Sequence, residues 1–305
     1  MKFTIFQDTR VGKRKSNQDR MAYCYSRDAL LMVIADGMGG HLHGEVAAQI
    51  CVQYITQAFQ RDARPSLRDP FLFLSQALTN AHHAILDYME EKKLTDAPRT
   101  TCVVCVIQDN VACWAHAGDS RLYHLRGGRI LSHTRDHSRV QMLVDQGLIS
   151  AQEALNHPGR NRIFSCLGGP HSPQIEFSKK TPLHAGDILT VCTDGVWGML
   201  ENIDLIRFLT APDLGQGVGR LMQKAELAGG AQCDNLSLIA LRWEDNYVGE
   251  SHSTISTQTM PVDHFTTRMG NFTRAPNSAP LPDLSDEEIE KAIREINSAI
   301  QKFTR

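Results

Sequence analysis

The sequence lacks an excess of either charge: 32 Lys and Arg stand against 34 Asp and Glu, a formal net charge of -2 over 305 residues. That balance excludes nonspecific nucleic-acid binding through a broad basic face. No run of about 18 apolar residues occurs, so no membrane-spanning helix is expected. The N-terminal stretch MKFTIFQDTRVGKRK turns polar by Gln7 and lacks a signal-peptide core, which points to a cytoplasmic chain. There is no internal repeat. No GxxxxGK[ST] phosphate loop is present, which excludes a P-loop kinase or NTPase. Thirteen histidines occur without HExxH or finger spacing. His41 and His43 could ligate zinc as a pair, but they have no nearby cysteine partners. What is there is 42% hydrophobic residues, too apolar for a wholly disordered chain. The length suffices for a substantial core.

The eight cysteines do not form a metal or disulfide framework. Cys102 and Cys105 make a CxxC inside TTCVVCVIQ, which reads as a strand. Residues three apart on a strand face opposite sides, so this pair cannot share an ion. Buried, reduced thiols acting as small hydrophobes are expected.

Composition changes near Tyr247. Residues 250–282 hold ten Ser or Thr and four Pro with no sustained period. We read 246–282 as a flexible linker. From Asp283 to Arg305 a helix is predicted. Ser285 and Glu288 form a capping box, and Ile289, Ile293, Ile296, Ile300 and Phe303 make one apolar stripe. This helix could dock on its own chain, pair with itself, or recruit a partner protein.

Residues 1–245 read as strands and two long helices. Strands are predicted at 2–6, 21–25, 29–35, 101–108, 111–117, 120–125, 128–132, 187–193 and 235–243. Turn-length gaps such as Asp109-Asn110 and Gly127-Gly128 are hairpin signals, so largely antiparallel sheets are expected. The helices cover about 44–60 and 70–93, with a shorter one from Ser138 and another near 150–155.

The chemistry lies where strands end. The apolar run Leu30–Ala35 breaks into Asp36-Gly37, and Ile188–Thr193 breaks into Asp194-Gly195. Asp234-Asn235 opens a strand, Gly118-Asp119-Ser120-Arg121 separates two, and Asn17-Gln18-Asp19 precedes another. A single Asp-Gly usually only turns the chain. Five Asp at strand edges, however, can converge from distant segments. Carboxylates and carbonyls are the ligands that hard divalent cations take, so the set points to magnesium or manganese rather than zinc.

In order, RKSNQD, DGMGG, GDSR, TDGVW and DN span residues 14–235. This series closely resembles the metal-dependent protein phosphatases of the PPM, or type 2C, family, in particular the short bacterial form. The resemblance covers about 1–245. It implies an α+β fold, a four-layer α-β-β-α sandwich of two mainly antiparallel sheets packed face to face. It implies a protein Ser/Thr phosphatase that opposes a kinase through a water activated by two metal ions, with no covalent intermediate. Asp36 would bridge two ions, with the Gly37 carbonyl on the first. Asp194 and Asp234 would hold the second, and Asp119 would help Asp194 bind a weaker third. Asp19 would support the cluster. Arg14 would clamp the substrate phosphate, a role that suits its planar fork better than Lys13 or Lys15. Residues 138–165 correspond to a flap thought to influence substrate choice.

Two departures from the family pattern stand out. Gln18 occupies a position that is often Glu. Met38 follows the Asp-Gly where some relatives carry a His proposed as general acid; His41, three residues on, or a metal-bound water is the candidate substitute. Among rival chemistries, a cysteine phosphatase needs Cys-x5-Arg, and no cysteine here has Arg six residues later. A catalytically silent scaffold and a phosphatase of a small metabolite stay open at this point.

Overall fold

The computed structural model describes residues 1–38, 44–150, 153–154, 157–160 and 162–245. The linker 246–282, the helix expected over 283–305, His41 and His43 lie outside the described residues, as does much of the helix expected near 150–155.

The strands are β1 (Phe3–Arg10), β2 (Asp19–Tyr25), β3 (Ala29–Asp36), β4 (Cys102–Gln108), β5 (Val111–Ala117), β6 (Arg121–Arg126), β7 (Arg129–His133), β8 (Glu176–Phe177), β9 (Thr181–Pro182), β10 (Ile188–Cys192) and β11 (Leu236–Trp243). The helices are α1 (Gly44–Asp62), α2 (Pro70–Lys92), α3 (Arg139–Asp145), α4 (Asp194–Trp197), α5 (Asn202–Leu209) and α6 (Leu214–Gly229).

One sheet has the order β1-β11-β10-β6-β7, the other β2-β3-β4-β5-β8 with β9 also on β5. Every pairing is antiparallel. The expected Asp109-Asn110 hairpin forms, with both residues at positive φ (54° and 57°), as a two-residue turn between twisted strands requires.

Strand alternation builds the layers. From β3, Leu30, Met32 and Ile34 point between the sheets, against Phe3, Ile5, Leu189, Val191, Ile239 and Leu241. Leu31, Val33 and Ala35 point the other way, onto Ile50 and Ile55 of α1 and Leu74 and Leu78 of α2. Cys102 joins that outer layer and Cys105 the inner one, so the CxxC is split as its strand period requires. Leu205, Leu221 and Met222 cover the far face of the first sheet. Four layers result, α-β-β-α. All eight cysteines are free thiols.

The expectation of two long helices is corrected by α6, a 16-residue helix. Its start, LGQGVG, carries three glycines that lower helix propensity. Packing explains one of them: a Cβ at Gly217 would lie 2.1 Å from the Phe208 carbonyl oxygen. Among the described residues no helix is long and apolar enough to cross a membrane.

Candidate active site

The two sheets bring five distant carboxylates to one end of the sandwich. Asp19 opens β2 and Asp36 closes β3, and the antiparallel register places them directly opposite each other. Asp194 begins α4 at the end of β10, Asp234 precedes β11, and Asp119 sits in the turn between β5 and β6. Asp19 and Asp119 are buried, while Asp36, Asp194 and Asp234 are partly exposed at the mouth.

Their electrostatics show the convergence. The recessed setting of Asp36 and repulsion from Asp19, Asp194, Asp119 and Asp234 push its carboxyl well above the usual range. Burial and Asp194 do the same to Asp119. Asp194 is raised by burial and Asp234, opposed in part by a hydrogen bond with Asp36 and by Arg160 of the 138–165 segment. Burial carries Asp19 up to about 7, against hydrogen bonds from Ser237 and Thr193. Like charges that raise one another in this way call for a cation.

Each acid is held by its surroundings. The Thr193 hydroxyl donates to Asp19 Oδ2 at 2.9 Å, and Thr193 Oγ1 in turn accepts the Ser237 N–H at 3.1 Å. Asp19 Oδ1 is buried with no hydrogen-bond partner. The Asp36 N–H donates to Thr101 Oγ1, and the Asp36 carbonyl accepts from Thr100 Oγ1 and the Thr101 N–H. Gly37 is forced by close approach: a Cβ there would lie 2.3 Å from the Gly44 carbonyl oxygen and 2.8 Å from that of Gln18. Trp197 Nε1 donates to the Asp119 carbonyl at 2.9 Å, tying the turn of Asp119 to the helix that Asp194 begins. The Arg121 guanidinium stacks on Trp197 at 3.5 Å and forks onto Asp136.

Arg14 reaches the cluster as the sequence suggests. Here its fork closes on Asp234, with Nε 2.7 Å from Oδ1 and a terminal nitrogen 2.6 Å from Oδ2. This pairing with Asp234 raises its pKa, with Asp194 and Asp36 contributing. The side chain remains 59% exposed.

Sequence reasoning named Asn235 and Gln18 but missed the contacts by which they arrange this set. Asn235 Oδ1 accepts the Gln18 N–H at 2.8 Å, and its amide donates to the Val11 and Ser16 carbonyls. Asn235 therefore fixes the loop that carries Arg14. Gln18 donates its side-chain amide to Glu45 of α1 at 2.9 Å. A Glu at 18 would set two carboxylates against each other there, so this chain carries the charge on α1 instead.

The residues fit hard divalent cations. Among the described residues the converging donors are carboxylate oxygens, with no histidine or cysteine among them. Asp19 Oδ1 is an unpaired buried acceptor, and the mutual repulsion is what an ion relieves.

The family model described as protein phosphatase 2C matches residues 7–214. The chain belongs to the protein phosphatase 2C family. It is 30% identical over 245 residues to the serine/threonine protein phosphatase PstP of Mycobacterium tuberculosis, covering 80% of this chain and 46% of PstP. The chain thus spans about half the length of that relative. It is 32% identical over 248 residues to the protein phosphatase PhpP of Streptococcus pneumoniae, covering 78% of this chain and 97% of PhpP. Among solved structures, the catalytic domain of PstP in complex with two manganese ions superposes with a TM-score of 0.68 and 28% identity, over 80% of this chain and 99% of that one. The protein phosphatase 2C fold therefore applies to this chain.

Proposed function

We infer that this chain is a protein Ser/Thr phosphatase, hydrolysing phosphoserine and phosphothreonine in protein substrates and opposing a Ser/Thr kinase. The observation that carries this reading is the meeting of five carboxylates with one arginine fork at the rim. Asp36, with the Gly37 carbonyl, Asp194 and Asp234 would hold two ions, manganese or magnesium. Asp119 with Asp194 would hold a weaker third. When bound, such ions lower the pKa of water and offset charge on a phosphoryl group.

The chain's own residues do the rest. Thr193 holds Asp19 in place, and the Ser237 N–H holds Thr193. Asn235 fixes the Arg14 loop. Arg14, paired here with Asp234, would turn its fork onto the phosphate oxygens, a bidentate match. Met38 has no proton to donate, so His41 is the side chain nominated as general acid. The segment 138–165 would act as a flap beside the site that selects substrates, with Arg160 near Asp194. Residues 1–245 would form the catalytic domain, 246–282 a linker, and 283–305 a helix recruiting a partner or docking on the chain. A cytoplasmic location accords with this role.

The test is turnover of a phosphoserine and phosphothreonine peptide panel with manganese. Hydrolysis abolished by EDTA supports the reading. Turnover confined to small phosphorylated metabolites would replace the substrate class, and no turnover of any phosphomonoester would make the chain a binding module.

A further inference from the structure

A second group of donors lies outside the carboxylate cluster. His116 is on β5, His137 lies just before α3, and Glu176 is on β8. One donor atom from each falls within 4.8 Å of the others. The two imidazoles stack with centroids 4.6 Å apart. Both are 2% exposed, while Glu176 is 46% exposed and gives the group a route to solvent.

We propose that His116, His137 and Glu176 form a second metal site for a borderline transition ion of the zinc type. It would antagonise the Asp119 turn.

The donor chemistry differs from that of the first site. His116 Nε2 lies 2.8 Å from the Arg135 carbonyl, so that nitrogen carries the proton and Nδ1 presents a lone pair. A histidine ligand that donates its other N–H to a carbonyl is the usual outer arrangement at a metal. His137 Nε2 is buried with no hydrogen-bond partner and lies 3.6 Å from a Glu176 carboxylate oxygen. Two ligands of a tetrahedral ion with bonds of about 2.0–2.1 Å stand about 3.4 Å apart, so this pair needs little movement. Burial keeps both imidazoles neutral, His137 down to about 4, so no imidazolium has to lose its charge first. Two nitrogens and one carboxylate, with a fourth place open to water, suit zinc or cobalt better than magnesium.

The antagonism follows from proton placement. His137 Nδ1 accepts the Gly118 N–H at 3.3 Å, and the His137 N–H donates to the Gly118 carbonyl at 2.9 Å. With Nδ1 accepting, the ring proton sits on Nε2. An ion bound at Nε2 sends that proton to Nδ1, where it confronts the Gly118 N–H. Gly118 has φ of 111°, and a Cβ there would lie 2.6 Å from the Thr101 side chain, so the residue has little room to adjust. Filling the second site therefore displaces the turn that positions Asp119.

Cobalt(II) titration in excess magnesium tests this without relying on activity, because magnesium occupies the oxygen cluster. The wild-type chain should take one cobalt with the intense visible bands of a tetrahedral N/O site, displaced by zinc. Glu176→Gln should weaken that binding at least tenfold. Zinc should slow phosphatase turnover in the wild type more than in Glu176→Gln. Equal cobalt affinity in the two proteins overturns the proposal, and so does a thiolate charge-transfer band, which would place the ion on a cysteine.

Discussion

Asp19→Asn exchanges one buried carboxylate for an amide of nearly the same shape. Its remaining oxygen can still accept from the Thr193 hydroxyl, and the new NH2 replaces an oxygen that has no partner. In the metal-free chain the Asp19 carboxyl is carried from 3.8 to about 7, chiefly by burial. A folded value above the unfolded one means the charge opposes folding. That penalty is absent below about pH 4 and grows as pH rises towards about 7. At about 1.4 kcal/mol per pH unit it reaches ~4 kcal/mol at most, and sharing with neighbouring acids reduces it to about 2–4 kcal/mol. Urea unfolding in EDTA should show the variant more stable than wild type by about that amount at pH 7.5, with an unchanged m-value. The difference should shrink towards zero as pH falls to about 4. In manganese the order should reverse, because the wild type gains more from the ions. An equal or lower stability of the variant at pH 7.5 in EDTA would refute the reasoning.

Other perturbations probe separate parts of the site. Arg14→Ala should raise KM for a phosphopeptide about tenfold or more, since a hydrogen bond to a charged group is worth ~1.5–3 kcal/mol; Arg14→Lys, lacking the fork, should not restore it. Asn235→Ala removes three hydrogen bonds around the Arg14 loop and should cost about 2–4 kcal/mol in urea unfolding and weaken manganese affinity, as the half-buried Gln18 N–H loses its acceptor. Truncation after residue 246 should leave p-nitrophenyl phosphate turnover and the melting temperature unchanged, because β11 ends at Trp243.

What was legible in the sequence was set by local periodicity. The apolar run of β3 and its break at Asp36-Gly37 carry their own signal, as do the paired turn residues Asp109-Asn110. The five acids could be nominated because each sits where a strand pattern starts or stops. The supports could not, because they act across the chain. Asn235 serves residues 217 and 224 positions away, and Trp197 reaches the Asp119 carbonyl from helix α4, 78 positions away. Gln18 looked like a weakened acid, and only its contact with Glu45 shows where the charge went. Helix α6 was hidden by three glycines, of which Gly217 is required by the close approach of the Phe208 carbonyl.

The central claim is that carboxylates from five segments converge to hold divalent ions. Manganese binding by equilibrium dialysis, on wild type and on Asp36→Asn and Asp194→Asn, tests it most directly. Two manganese ions per wild-type chain, with loss of binding in both variants and an unchanged circular dichroism spectrum, is the predicted result. Unaltered stoichiometry and affinity in the variants would contradict the account.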